Sequence, residues 1–346
     1  MSDQEESAPP GPDGSPPRTF WAQPAEVDAL GPGQLIRRAF RLYRATPRRF
    51  LLVAAGPELV RDLLGIPGIA ITLTFVDGFV RVFRDYLGAV TADPDGYRAD
   101  PGALQAAFEA QLRTVLVPQP DLAALSAATG AAGVAVGLIG TAALTAAALA
   151  SAAGRPVSLG GVFRQVAARG GLVGPIVAIG VGWLAVSWVP LLLQTSPEFQ
   201  TWAGAPGSPR SLLLASLLSA FAVVVFAFVI VLAVRWALYI PAVIAESLGV
   251  GRGLGRAAQL SGGIRIRLGL AMAGILLMHA LSVGVVAAIV GIAIGISAES
   301  VEVGVVAYLG ASLLGNLLWA PLLPAMLALA YATRVGQPTP TAPARG

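Results

Sequence analysis

The amino-acid sequence predicts an all-α membrane protein that crosses the lipid bilayer six times. Of its 346 residues, 55% are hydrophobic and only 12% are charged, and the mean hydropathy is +0.73. A soluble domain carries about 25% charged residues, twice this share. The apolar residues also form runs of about 20 residues, the length that a helix needs to cross a bilayer. These two observations exclude a soluble globular fold.

The six predicted spans follow these apolar runs, and together they form a membrane domain over residues 29–334. A polar segment at 77–121 holds seven acidic residues against four arginines and is predicted to be an outer loop, with a helix at 100–115. The spans are predicted at residues 50–75, 123–153, 172–194, 212–244, 268–296 and 303–332.

Both ends of the chain are predicted to be disordered tails. Residues 1–28 are acidic and rich in Pro and Gly, and they lack the basic segment and apolar core of a secretory signal peptide. Residues 335–346 are similarly polar and Pro-rich.

A short basic amphipathic helix is predicted at residues 33–46. Its apolar residues gather on one side at helical spacing, and its arginines occupy the other. Such a helix lies in the membrane interface, where each arginine near anionic headgroups is worth roughly 1 kcal/mol. The alternative is an ordinary solvated helix that packs on a soluble core; the interfacial interpretation is preferred because no soluble core is evident elsewhere in the chain. The arginines predicted to contact anionic lipid are Arg37, Arg38, Arg41, Arg44, Arg256 and Arg267.

Three segments repeat this basic amphipathic plan: residues 33–52, 157–175 and 251–270. Each precedes a membrane span by about ten residues. The pattern predicts three units, each an interfacial helix followed by a membrane hairpin. The third segment lies inside the stretch Arg235–Gly269, which we interpret as a cytoplasmic connection between two spans and the centre of the architecture.

Charged residues inside the apolar spans form the candidate intramembrane site: Glu58, Arg61 and Asp62 in the first span, and Arg235 near the inner end of the fourth. An ionisable group at the centre of a bilayer costs about 2.5–3.5 kcal/mol on insertion scales. Either these residues neutralise one another inside the bundle, or they line a path for a small solute or a lipid. A water-filled cavity that reaches them would favour transport.

Other polar residues of the spans are expected to be structural. His279 in the fifth span and Asn316 in the sixth are expected to hydrogen-bond to neighbouring helices. Glu246 is expected to pair with Arg252 or Arg256. In the second span, glycines recur every three or four residues and predict close helix packing; they are Gly130, Gly133, Gly137 and Gly140.

Composition narrows the chemistry. The chain has no cysteine and a single histidine, which excludes disulfides, thiolate ligands, cysteine nucleophiles and multi-histidine metal sites. It also lacks a Gly-x-Ser-x-Gly elbow. We therefore expect no cofactor and no enzymatic activity, with an integral-membrane enzyme as the least favoured alternative. The net charge of +4 indicates anionic lipid rather than nucleic acid, because the arginines flank the spans.

The positions of the arginines predict the orientation of the chain. Of the 23 basic residues, all arginine, 16 lie in the tails and the two joining turns of one side, and 5 lie in the opposite loops. The positive-inside rule then places both termini in the cytoplasm. The exclusive use of arginine, with many Ala, Gly and Pro residues, is typical of bacterial genes of high GC content. We therefore predict a location in the bacterial inner membrane.

Two segments carry a resemblance to a known family. The sequence LGPGQLIRRAFRLYR resembles the opening of the bacterial glycerophosphoryl-diester-phosphodiesterase membrane-domain family and related six-span proteins. Its matching residues are Leu30, Gly31, Ala39, Phe40, Leu42 and Arg44. The second segment is similar to a later family motif through Arg235, Pro241, Glu246, Leu254, Arg256, Leu260, Gly263, Arg267 and Gly269.

Within the second segment, Ala257 replaces the usual Ser of the family and Ile266 the usual aromatic residue. The resemblance covers about residues 30–333 and implies a six-span fold in the membrane. It implies no activity, because the membrane part of the family has none established, and we expect no fused phosphodiesterase domain.

The sequence thus favours a non-enzymatic membrane-organising or accessory factor. Its expected partners are the lipid bilayer, anionic headgroups and an unidentified protein. The alternative is a small-solute or lipid transporter that uses the charged residues of the first and fourth spans.

Overall fold

A computed structural model describes residues 31–116, 120–195, 209–298 and 300–336. These ranges are about 90% helical and contain no strand, which confirms the all-α class. The predicted tails, apart from residues 335 and 336, lie outside the described residues.

The helices of the first half begin with a short amphipathic helix and continue through three long ones. A 3-10 turn at Gly170–Leu172 leads into the last of them. In chain order they are α1 (Pro32–Ala45), α2 (Pro47–Ala92), α3 (Pro94–Ala99), α4 (Pro101–Leu116), α5 (Pro120–Ala152), α6 (Leu159–Ala167) and α7 (Val173–Thr195).

The second half alternates long and short helices in the same way. A π-helical segment at Ala280–Val285 joins α11 to α12 without a break in the helix. The helices are α8 (Pro209–Arg235), α9 (Tyr239–Glu246), α10 (Val250–Ser261), α11 (Arg265–His279), α12 (Val286–Ser297), α13 (Val301–Trp319) and α14 (Leu322–Val335).

Several of these helices are long and apolar enough to cross a membrane. Among the described residues there are five such segments, or six if α6 and residues 170–184, bent by 68° at their junction, form one span. Five of the six predicted spans overlap one of the five segments, and the third, at residues 172–194, overlaps only the bent pair; these helices fit a multi-pass membrane protein. The five are Pro47–Ala92, Asp121–Ala152, Ala227–Glu246, Arg265–Ser297 and Val303–Val335.

The outer faces of the long helices carry exposed aliphatic and aromatic side chains. A soluble monomer rarely exposes apolar patches larger than a few hundred Å², so this surface fits contact with lipid. Examples on α8, α11 and α12 are Val223, Val224, Phe228, Leu277, Ile289 and Ile292.

The segment predicted as an outer loop is helical instead. The 46-residue α2 continues to Ala92, well past the predicted end of the first span at residue 75. At 1.5 Å per residue it is about 69 Å long, roughly twice the hydrocarbon thickness of a bilayer. Arg81 pairs with Asp77 one turn away at 2.6 Å, and α4 packs back on α2, where Tyr86 and Phe108 lie 4.8 Å apart. The predicted helix at 100–115 is α4.

The prediction of a loop differs from the observed helices because polar residues are as common on the exposed face of a helix as they are in a loop. The acidic composition of the segment therefore indicated solvent exposure correctly, but it did not distinguish a loop from a pair of antiparallel helices.

The protein core is centred on α9, which lies against α5, α10 and α14. Leu238, Ala242, Val243 and Ile244 are completely buried there. This helix belongs to the stretch Arg235–Gly269, as the sequence predicted. The chain turns at residues 236–238, and Pro241 lies in the first turn of α9, where a helix tolerates proline.

Three short amphipathic helices, α1, α6 and α10, are present at the three predicted basic segments. The apolar face of α1 is buried on protein, however, and not inserted in lipid: Leu35, Ala39 and Leu42 pack among α11 and α14. Phe40 meets the ring of Trp319 edge-on at 6.0 Å. The bundle itself thus supplies the protein core for this helix, which leaves its arginines on the outer surface.

Candidate functional site

One turn of α2 brings three charged residues together. The guanidinium of Arg61 forms an ion pair with the carboxylate of Glu58, and its Nη2 lies 3.5 Å from Oδ1 of Asp62. Glu58 is buried, with 8% of its surface exposed, whereas the Arg61 and Asp62 side chains keep 36% and 33%. Two carboxylates thus share one guanidinium, and Asp62 holds the weaker contact.

The neighbouring helix α5 makes room for Arg61 with glycines. The aliphatic part of the Arg61 side chain lies over Gly133 and Gly137, where an added Cβ atom would make ordinary van der Waals contact with it at 3.7 and 3.8 Å. These residues form the predicted small-xxx-small pair, whose small size lets Arg61 lie along the face of α5.

The other two glycines predicted on this face of α5, Gly140 and Gly130, also allow close packing against neighbouring helices. Gly140 lies against Pro57 of α2, so that a Cβ atom at Gly140 would stand 2.7 Å from Cβ of Pro57. Gly130 lies against the indole of Trp183 on α7. The predicted close packing along this face of α5 is therefore confirmed.

A cavity of about 630 Å³ opens beside the charged turn, between α2, α5 and α13. Its volume falls in the range of about 300–1,000 Å³ that is typical of small-molecule sites. It follows α2 from Leu59 to Ile69, about 15 Å at helical rise. Arg61 and Asp62 form its charged wall, and most of its other lining residues are aliphatic side chains or glycines.

Arg235 does not join this cluster, contrary to expectation. It is exposed at the C-terminal end of α8, which packs on α10 and α11. Its backbone carbonyl accepts a hydrogen bond from Ser261 Oγ at 2.9 Å, and within the described ranges its side chain forms no ion pair. The sequence pointed to charges at membrane depth, but it could not show which spans are neighbours.

A histidine takes the place beside Glu58 that we expected for Arg235. His279, at the end of α11, interacts electrostatically with Glu58. Its Nε2 lies 2.9 Å from Oδ1 of Asn316 on α13, which confirms the expected interhelical hydrogen bond. The π-helical segment begins at the next residue, and such segments are frequent at functional sites. Sequence reasoning found His279 and Asn316 singly, but it did not show that His279 is close enough to Glu58 to interact with it.

Glu246 connects three helices near one end of the bundle. It accepts hydrogen bonds from Arg256 Nε at 2.9 and 3.1 Å and from the Tyr331 hydroxyl at 2.7 Å. The expected pairing of Glu246 with Arg256 is confirmed, so Nε of Arg256 is engaged by protein rather than by lipid. Arg267, the other predicted lipid contact of this region, is exposed in the first turn of α11.

The outer side of α1 and the first turn of α2 carry exposed arginines, which we name the basic surface: Arg37, Arg41 and Arg44 on α1, and Arg48 and Arg49 on α2. Arg38, also predicted to contact lipid, is half-buried. Helix α1 contains no acidic residue, and in the described part of the chain none of the five forms an ion pair. Burial raises the pKa of the Tyr43 phenol on the opposite side, in keeping with an anchor in the protein core.

Comparisons with protein-family models, with curated proteins and with solved structures found no match to this chain. The resemblance to the glycerophosphoryl-diester-phosphodiesterase membrane-domain family therefore stays a prediction from the sequence segments quoted above.

Proposed function

We propose that this chain is a non-enzymatic membrane-organising or accessory protein whose basic surface binds anionic lipid headgroups. Because the apolar face of α1 is fixed on α11 and α14, its arginines are held outward in one orientation. A fixed array of cations suits the negative surface of an anionic membrane leaflet. This arrangement is the observation that carries the proposal.

The proposal includes the orientation and the finer architecture. Six spans in three units, each an interfacial helix with a membrane hairpin, place the basic surface at the cytoplasmic leaflet of a bacterial inner membrane. The presence of α1, α6 and α10 at the three basic segments supports the units. The distribution of arginines supports the orientation. Membership of the resembling family would be in keeping with the same topology.

The test of lipid binding uses the full-length protein in nanodiscs that contain spin-labelled lipids. We expect the wild type to immobilise anionic phosphatidylglycerol more than phosphatidylcholine. Replacing Arg37, Arg41 and Arg44 by Ala should reduce this preference several-fold for each arginine removed, at roughly 1 kcal/mol each. Arg81→Ala is the matched control, because Arg81 is exposed but pairs with Asp77. An unchanged preference in the triple variant contradicts the proposal.

A second candidate function is transport of a small solute or a lipid. The observation that favours it is that Arg61 and Asp62 line a cavity instead of being sealed inside the bundle. Proteoliposomes loaded with fluorescent lipids or small solutes would test it: the wild type should accelerate movement across the bilayer, and Asp62→Asn should slow it. Equal rates with and without protein, for every compound, would exclude this function for the conditions of the assay.

A further inference from the structure

We propose that the cavity between α2, α5 and α13 binds an amphiphile that carries a protonated amine. Asp62 would receive the ammonium group, and the aliphatic walls would receive the alkyl chain. This proposal states only that the ligand binds in the cavity. Whether the protein also moves the ligand across the membrane depends on the second candidate function, transport.

The charge balance of the site selects a cation. Two carboxyl groups, Glu58 and Asp62, face the single guanidinium of Arg61, which is closer to Glu58 than to Asp62. The charge of His279 also acts on Glu58, so Asp62 is the weakly paired acid that remains for a ligand. The contact of Asp62 with Arg61 at 3.5 Å is at the limit of a hydrogen bond. A carboxylate at membrane depth with so little compensation gains a favourable partner from an ammonium group.

The same balance disfavours an anionic headgroup. A phosphate or carboxylate would need a guanidinium with free donors, but Arg61 already faces two carboxylates. The anion would also approach the carboxylate of Asp62 at the cavity wall in a medium of low dielectric constant, where like charges repel strongly. The cavity should therefore discriminate between amphiphiles of similar chain length by the sign of their headgroup.

The walls of the cavity suit an alkyl chain that enters from the bilayer. Leu63 and Ile66 of α2 and Val306 of α13 line the cavity and are 55%, 52% and 68% exposed, so the walls continue into the lipid-facing surface. Trp183 borders the same space from α7. A ligand can thus move from the lipid into the groove sideways, with its polar end at Asp62.

The indole of Trp183 provides a local reporter for occupancy. Full-length protein in neutral maltoside micelles is titrated with a brominated dodecylammonium salt, which quenches tryptophan fluorescence on contact. The chain has six tryptophans, so Trp183→Phe identifies the part of the signal that comes from the cavity. We expect saturable quenching in the wild type and its loss in this variant.

Variants at Asp62 test the role of its charge. Asp62→Asn should raise the half-saturation concentration at least tenfold, and Asp62→Glu should restore much of the binding. Asp77→Asn is the matched control, because Asp77 is an exposed acid on the same helix. Brominated dodecyl phosphate should bind more weakly than the ammonium compound. Equal binding of the two compounds, or no effect of Asp62→Asn, would overturn the proposal.

Two sources could supply such a ligand, and competition distinguishes them. Displacement of the brominated amine by phosphatidylethanolamine, but not by phosphatidylglycerol, identifies a membrane aminophospholipid. Displacement only by single-chain amines identifies a free amphiphilic amine. Both outcomes support an ammonium site, and binding without flux in proteoliposomes would remove the transport function alone.

Discussion

Arg61 is constrained along the whole length of its side chain. Its aliphatic part lies over Gly133 and Gly137 of α5, and its guanidinium faces Glu58 and Asp62. The sequence indicated both halves of this arrangement, since glycine spacing and charges within an apolar run are visible without a structure. It could not show that the same arginine uses both, because that depends on the register between α2 and α5.

Gly140 provides a test of this register. Gly140→Ala should destabilise the protein by about 1–3 kcal/mol, because its Cβ atom would stand 2.7 Å from Cβ of Pro57 and the packed core would have to shift. Thermal unfolding in detergent measures the change. Gly180→Ala on α7 is the control: no heavy atom lies within 4 Å of the added group, and alanine is the better helix former. A Gly140 variant as stable as this control would show that α2 and α5 are packed differently.

At the scale of elements, helix α10 is fixed along its C-terminal half by polar contacts with other helices. Arg256 reaches Glu246 of α9, the buried Ser261 donates to the carbonyl of Arg235, and Arg334 Nε donates to the carbonyl of Leu260 at 3.0 Å. These contacts hold a short basic helix against the bundle, where its own length would leave it marginal in water. The sequence predicted the helix and one of its ion pairs, but the backbone acceptors have no sequence signal.

Glu246 is the most connected residue of this group. Glu246→Ala should lower the stability by about 1–3 kcal/mol, because it leaves the Tyr331 hydroxyl without its acceptor and Arg256 without its carboxylate partner, in an ion pair that solvent partly screens. Glu246→Gln should cost less, since the amide oxygen can still accept from Tyr331.

Chemical denaturation in detergent, with helix content followed by circular dichroism, measures both changes. Glu109→Ala on α4, an exposed residue that bonds Gln105, should have little effect. Equal stability of the Glu246 and Glu109 variants would show that the network does not hold α9, α10 and α14 together.

The whole molecule combines a helical bundle with two unequal polar ends. One end carries the basic surface, and the other carries α3, α4 and the C-terminal half of α2, in which acids and arginines balance. Composition and run length predicted an all-α chain with several helices long and apolar enough to cross a membrane, because the cost of exposing apolar or polar groups in the wrong medium is large. The ordered outer helices and the neighbours of each span depend on packing, which the sequence pattern does not specify.

The central claim is that the two polar ends of the molecule lie on opposite sides of the membrane, with the basic surface on the cytoplasmic side. Cysteine labelling can measure this topology directly, because the chain contains no cysteine of its own. Two variants, Gln34→Cys on α1 and Glu109→Cys on α4, each introduce a single cysteine. Each can be labelled with a membrane-impermeant maleimide in right-side-out and in inside-out vesicles. We expect Gln34→Cys to react only in inside-out vesicles and Glu109→Cys only in right-side-out vesicles. Labelling of both positions from the same side would contradict the proposed topology and the placement of the basic surface at the cytoplasmic leaflet.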